Sequence, residues 1–250
     1  MATSTLAPRK TTTAKKPAAK AAPPAKAASP AVAGSAVLTI TSKNYSSWSL
    51  RGWLLARFSG VPFSENALPP DDPSTRAEIL LLSSSIRVPS LEHAGVLVWD
   101  TLAIGEYLNE IAPEAGLLPK DVRARAHCRA ISGEMHSGFT SLRSALPMNL
   151  RAHFPRFKVW SRAQADVERI TAIWRECLDT YGGPYLFGAQ RTVADAMYAP
   201  VCTRFATYDV QVDAQSQAYC ATMLAQPELK EWIAAAQTEP DDIDELDVEF

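Results

Sequence analysis

The chain has 250 residues, with 25 Lys+Arg against 27 Asp+Glu for a formal net charge of −2, and 47% of its residues are hydrophobic. Six bases and no acid fall in residues 1–35, and seven acids and no base fall between Glu239 and Phe250, which leaves 19 bases and 20 acids for residues 36–238. A body this close to neutral argues against nucleic acid or an anionic membrane as partner of the folded part, because those surfaces select clustered Lys and Arg.

The basic head, residues 1–35, is mostly Ala, Lys, Pro, Ser and Thr. It has almost no large apolar side chain to offset the entropy of ordering, so it reads as disordered. Weak contact with a polyanion and an organelle transit peptide are the alternatives for such a composition. The remaining ~200 residues are enough for one large core or two smaller ones.

A β-rich run, Ala36-Val37-Leu38-Thr39-Ile40-Thr41, opens the body. After it, Leu50, Trp53, Leu54 and Phe58 fall at helical spacing, and Gly60 supplies a stop. A second strand is expected near Phe63–Leu68 and a short helix over Ser74–Leu82. Val88–His93 and Val96–Trp99 read as two strands joined by a turn at Ala94-Gly95. A helix from Asp100 or Thr101 follows, with Leu102, Ile104, Tyr107, Leu108 and Ile111 as its buried stripe. The order βαβαββα fits one small α/β domain over residues 36–118. Beyond Pro119 the pattern is helical, near Val122–Ala145, Ser161–Tyr181, Val193–Tyr208, Ala214–Leu224 and Pro227–Gln237. These make an all-helical domain over 119–238, followed by an acidic tail over 239–250. The arginines of Val122–Ala145, Arg123, Arg125, Arg129 and Arg143, read as a solvated face.

No run approaches the ~18 uninterrupted apolar residues of a membrane-spanning helix. The four cysteines and four histidines form no CxxC and no paired ligand spacing. Neither a metal site nor a disulfide framework is therefore expected, and a reducing, cytoplasmic compartment is the simplest.

Four segments can carry chemistry. Asn44-Tyr45-Ser46-Ser47-Trp48-Ser49-Leu50-Arg51 lies where a strand hands over to a helix. Its hydroxyls can donate to an anion beside the positive helix end, or one serine can simply be the N-cap. In Ile86-Arg87-Val88-Pro89-Ser90-Leu91 a proline, for which both the cis and the trans isomer are open, begins a strand, and the Val88 backbone can pair with an extended ligand. In Trp99-Asp100-Thr101, Thr101 and the adjacent amides can hold a carboxylate while Asp100 faces an ammonium group, or the pair can be a helix cap. Thr192-Val193-Ala194-Asp195 reads as a capping box that serves folding.

Taken in order and spacing, these segments resemble the glutathione S-transferase superfamily over residues 36–238. The resemblance implies a thioredoxin-like N-terminal domain followed by a helical bundle, and glutathione as co-substrate with no metal. Ser46-Ser47-Trp48-Ser49-Leu50-Arg51 looks most like the serine motif of the zeta class, with Trp48 where that class has cysteine. Lys43–Arg51 and Glu134–Phe139 look closer still to uncharacterised bacterial members. The resemblance implies that Ser46 hydrogen-bonds the glutathione sulfur, with Ser47 and Ser49 as alternates and Tyr45 ranked below them. It further implies that Val88 and Pro89 hold the cysteinyl residue, and Asp100 and Thr101 the γ-glutamyl end. Arg87, on charge and position, is expected at the glycyl carboxylate. A second-substrate pocket is expected over Trp48, Met135, His136 and Phe139. The activity implied is conjugation or zeta-type isomerisation of a small electrophile by a homodimer, and the missing cysteine speaks against thiol exchange. The alternative is a non-catalytic module of the same fold that works through protein contacts.

Overall fold

A computed structural model describes Met1, residues 35–69 and residues 88–239. The helix expected at Ser74–Leu82 and the candidate Arg87 lie outside these residues. The described residues from 35 to 239 belong to one compact unit.

Four strands build one sheet in the order β2-β1-β3-β4. They are β1 Ala36–Ile40, β2 Phe63–Ala67, β3 Ser90–His93 and β4 Val96–Trp99. β1 runs parallel to β2 and antiparallel to β3, and β3 is antiparallel to β4. Val88 and Pro89 fall before β3, so the expected strand is two residues shorter at its start. One cross-strand row joins Thr39, Ser90 and Trp99. The pairing therefore brings the chain leaving β1, the chain entering β3 and the chain leaving β4 to the same end of the sheet. Those three segments are the ones the sequence singled out.

The first helix, α1 (Ser47–Ser59), starts at Ser46, whose side chain accepts from the Ser49 N–H, and stops at Gly60 in the left-handed region (φ 72°). The four-residue stripe read from the sequence understates its burial. Leu50, Arg51, Gly52, Trp53, Leu54, Leu55 and Ala56 are all buried, because α1 packs on the sheet and also between two other helices. Those neighbours are α2 (Thr101–Ile111) and α6 (Val193–Thr207). Gly52 makes the fit possible: a Cβ there would lie 2.6 Å from both Cβ and Cγ of Pro89.

The remaining helices are α3 (Val122–Ser137), α4 (Thr140–Ala145), α5 (Ser161–Tyr181), α7 (Ala214–Leu224) and α8 (Pro227–Ala236). The continuous helix expected over Val122–Ala145 is broken into α3 and α4. Gly138 is extended (φ −104°, ψ −168°) and Phe139 is left-handed (φ 58°), which turns the chain. α6 opens on the Thr192/Asp195 capping box. Asp195 is fully buried, and it accepts from the Thr192 N–H (2.7 Å), the Thr192 hydroxyl (3.0 Å), the Leu186 N–H (3.1 Å) and the Tyr219 hydroxyl (3.1 Å). A single apolar core runs from Leu38 and Ile40 of the sheet through Leu50 and Trp53 to Trp174, Tyr198 and Trp232 of the helices. Among the described residues no helix is long and apolar enough to cross a membrane.

Candidate active site at one end of the sheet

Ser46 sits on the turn after β1 with only 3% of its surface exposed. Its Oγ caps α1 at 3.2 Å from the Ser49 N–H and donates to Ser49 Oγ at 2.9 Å. The capping and anion-binding readings thus meet in one residue: a hydroxyl oxygen accepts with its lone pairs and can turn its single proton toward a ligand. Ser49 is fully buried and spends its Oγ on the Thr41 N–H at 3.0 Å. The Ser47 Oγ accepts from Arg51 Nη1 at 3.4 Å. The Tyr45 hydroxyl accepts from Arg151 Nη2 at 3.3 Å.

The Val88–Pro89 peptide is cis. Val88 is 8% exposed and lies just beyond the last paired row of β3. Across from it, Asp100 holds a backbone conformation that non-glycine residues rarely adopt (φ 75°, ψ 135°), and it caps α2. Asp100 Oδ1 accepts from the N–H groups of Leu102 (2.8 Å) and Ala103 (3.4 Å). Oδ2 lies 2.5 Å from His136 Nε2 on α3. Burial by itself would raise the Asp100 carboxyl, but the His136 hydrogen bond and charge and the two amides outweigh it and bring its pKa below the usual carboxylate value. Next to it the Thr101 side chain is 1% exposed, and its Oγ1 has no hydrogen-bond partner among the described residues. A buried polar atom without a partner costs free energy unless something supplies one. At the first turn of a helix, an acceptor such as a ligand carboxylate answers that need.

Trp48 faces the helical half of the molecule. His136 meets its ring edge-on at a centroid distance of 5.0 Å, and the guanidinium carbons of Arg51 and Arg143 each lie 4.8 Å from the ring centroid. Arg143 is therefore not on a solvated face. Its Nη2 donates to the Met135 and His136 carbonyls. Arg51 is fully buried, donating to the Met197 carbonyl at 2.8 Å. Arg204, also buried, donates to the Leu146 carbonyl at 2.8 Å. Burial, then repulsion from Arg143 and Arg204, holds the Arg51 pKa well below its ordinary value. Burial and Arg143 bring Arg204 down to about 9, so it is still a cation at neutral pH. Among the described residues none of the three forms an ion pair with a carboxylate, and two of them, Arg51 and Arg143, stand against the Trp48 ring. Arg129, by contrast, does lie at the surface, paired with Glu106 at 2.7 Å.

Of the remaining pocket candidates, Met135 is fully buried in the core and Phe139 is 8% exposed. His136 is the member of that group that reaches the sheet end. Sequence reasoning missed the pairing of His136 with Asp100 and the burial of Arg51, Arg143 and Arg204. Spacing along a helix says which residues share a face, not which distant carboxylate meets that face.

The family model described as "Glutathione S-transferase, N-terminal domain" matches residues 45–111, and the one described as "Glutathione S-transferase, C-terminal domain" matches residues 157–235. A probable maleylacetoacetate isomerase of Caenorhabditis elegans is 32% identical over 127 residues, which are 50% of this chain and 59% of that protein. The maleylacetoacetate isomerase of Rattus norvegicus is 29% identical over 170 residues, 67% of this chain and 76% of that one. The chain spans 59% and 49% of the lengths of the C. elegans relative and of a Drosophila melanogaster probable maleylacetoacetate isomerase 2. Among solved structures, a glutathione transferase homolog from Burkholderia gl BGR1 with bound glutathione superposes with a TM-score of 0.61 at 20% identity, over 82% of this chain and 98% of that one. Maleylacetoacetate isomerase from Anaeromyxobacter dehalogenans 2CP-1 gives a TM-score of 0.60 at 21% identity, over 84% and 95%. At these identities the two structures speak for the fold, a thioredoxin-like domain followed by a helical one. With both family models matched in order along the chain, the protein belongs to the glutathione S-transferase superfamily.

Proposed function

We propose that the protein is a glutathione-dependent transferase in which Ser46 activates the thiol for conjugation to, or isomerisation of, a small electrophile. The observation that supports this most is the convergence at one sheet end of the Ser46 turn, the cis Val88–Pro89 peptide and the buried Thr101 hydroxyl without a partner. Each of the three suits a different part of one extended, doubly acidic peptide.

In this reading Thr101 Oγ1 and the α2 amides take the γ-glutamyl carboxylate. Asp100 takes the ammonium group, sharing its carboxylate with His136. The Val88 backbone pairs with the cysteinyl residue, and Pro89 is held against α1 by the room left at Gly52. Ser46 keeps accepting from the Ser49 N–H and turns its proton from Ser49 Oγ to the sulfur. A hydrogen bond to the thiolate, at the positive end of α1, lowers the thiol pKa from its free value of ~8.5 toward neutrality. Metal chemistry has no part in the proposal.

The electrophile would lie over Trp48 and beside His136. The cations around Trp48 favour an acidic electrophile, and with the resemblance to maleylacetoacetate isomerases they make a zeta-type isomerisation of an unsaturated diacid the finer form of the proposal. A cytoplasmic homodimer belongs to the same reading. Val96, Leu97 and Trp99 are 45%, 49% and 50% exposed, apolar side chains on both faces of an edge strand that a second copy would cover.

The test is retention on immobilised glutathione together with turnover of an aryl halide and of a maleyl-type diacid. Retention with turnover of either substrate supports the enzyme. Loss of both overturns it in favour of the non-catalytic module, which retention without turnover would also favour.

A further inference from the structure

The acidic run at the end of the chain was read from the sequence as a tail separate from the folded body, but its first carboxylate is part of the body. Glu239 is half-buried, and it reaches the turn that leads into Ser46. Its Oε2 accepts from the Ser42 hydroxyl (2.7 Å) and the Asn44 N–H (3.0 Å), and its Oε1 from the Lys43 N–H (2.5 Å). One carboxylate thus takes three donors from three consecutive residues.

The turn also carries bonds of its own, and they run through Ser42. The Ser42 hydroxyl oxygen accepts from the Asn44 and Tyr45 N–H groups at 3.1 and 3.2 Å, and the Ser42 carbonyl accepts from the Ser46 N–H at 3.0 Å. Ser42 is therefore the hinge between the carboxylate and Ser46: a rotation at Ser42 moves the residue that caps α1. The surroundings are arranged to keep Glu239 in place. Arg151 Nη1 donates to the Glu239 main-chain carbonyl at 2.9 Å, and Trp232 Nε1 of α8 donates to the Lys43 carbonyl at 2.9 Å. Asn44 Oδ1 accepts from the Leu150 and Arg151 N–H groups at 2.7 and 3.1 Å. The end of the helical half and its 149–152 loop grip the turn from two sides, and Glu239 is the member of that grip that supplies a carboxylate. Charge-assisted hydrogen bonds of this kind are shorter and stronger than neutral ones and fix direction as well as distance.

We propose that Glu239 is a positioning residue for Ser46: by holding the Ser42–Asn44 turn it sets the direction of the Ser46 hydroxyl, and so the fraction of bound glutathione present as thiolate. The inference rests on the reading above that Ser46 activates the thiol, and it assigns a role in that step to the first residue of the acidic tail.

The experiment titrates the ultraviolet absorbance of the thiolate of bound glutathione against pH in the full-length chain. The variants are the parent, Glu239→Gln, Ser46→Ala and the double variant, each with its thermal midpoint and its kcat and KM for glutathione. Glutamine turns an NH2 toward at least one of the three donors, so it disrupts the grip with almost no change in volume. Glu239→Gln is expected to raise the apparent thiol pKa by about half a unit to one unit, a 3- to 10-fold loss of thiolate at a pH below that pKa. It should lower kcat by a similar factor at a pH well below that pKa, and by less near it, with KM changed less than about twofold. In the Ser46→Ala background the same substitution should change the pKa no further.

A lower thermal midpoint with an unchanged pH profile overturns the proposal, because the role is then only structural. So does a fall in the thiol pKa, which would make Glu239 a negative charge acting directly on the sulfur. A shift that persists in the Ser46→Ala background overturns it as well. If Ser46→Ala itself leaves the parent profile intact, the serine assignment has failed, and Glu239 has no Ser46 to act through. A shift with Ser46→Ala and none with Glu239→Gln removes this proposal alone.

Discussion

Replacing Gly52 by alanine tests how tightly the first helix is fitted to the glutathione side of the site. A Cβ at this position would lie 2.6 Å from two carbons of the Pro89 ring, roughly 1 Å closer than ordinary carbon–carbon contact. The proline ring cannot swing aside as the end of a long side chain would. Nor can α1 retreat, because α2 and α6 pack against it. Overpacking of this kind costs about 1–3 kcal/mol. Alanine regains about 1 kcal/mol of helix propensity over glycine. The net loss is then about 1 kcal/mol with an upper end near 2, or a drop of roughly 2–8 °C in the thermal midpoint of a domain this size. The larger effect should be on binding, because the displacement opens the gap between Ser46 at the start of α1 and Val88–Pro89 at the start of β3. Differential scanning fluorimetry and the KM for glutathione measure the two effects, and a several-fold rise in KM is expected. A Gly52→Ala protein that melts at or above the parent midpoint with an unchanged KM would refute the close packing of α1 on Pro89.

Two further substitutions probe the capping box and the Asp100–His136 pair. Asp195→Ala leaves the Leu186 and Thr192 N–H groups and the Tyr219 hydroxyl without their acceptor in the core, and should cost about 3–4 kcal/mol after relief of the buried carboxylate is counted, read as a lower denaturation midpoint. His136→Leu should raise the KM for glutathione several-fold through loss of the partner that holds Asp100, with little change in thermal midpoint. The pH dependence of glutathione binding has a defined sign. Because the Asp100 pKa is lowered in the fold, its ionised form is favoured above the ordinary carboxylate value of ~4, and that advantage is lost as the pH falls through the lowered value. In His136→Leu the acid limb of binding should therefore move to higher pH; a limb that stays in place would show that His136 does not hold Asp100.

Much of the fold was legible because it rests on local signals. Gly60, Asp100 and the Thr192–Asp195 box mark helix ends through backbone conformation and capping, which a short window of sequence records. The 3.6-residue period gave the extent of the Ser161–Tyr181 helix for the same reason. The break between α3 and α4 had a local mark in Ser137-Gly138 that the helical pattern on either side outweighed, and the left-handed Phe139 adds no turn chemistry of its own. Arg143 was misplaced on a solvated face because its partial burial is set by its contact with Trp48 and by the Met135 and His136 carbonyls it reaches across the α3–α4 break. The contact of Glu239 with Ser42 spans 197 residues. Within a run of seven acids, nothing local distinguishes the one that folds back.

Activation of the thiol by the Ser46 hydroxyl is decided by titrating the thiolate of glutathione bound to the parent and to Ser46→Ala and Ser47→Ala. An apparent pKa well below the free value of ~8.5 is expected in the parent and in Ser47→Ala, with a return toward that value in Ser46→Ala alone. An unshifted profile in Ser46→Ala, or the shift appearing in Ser47→Ala instead, would contradict it.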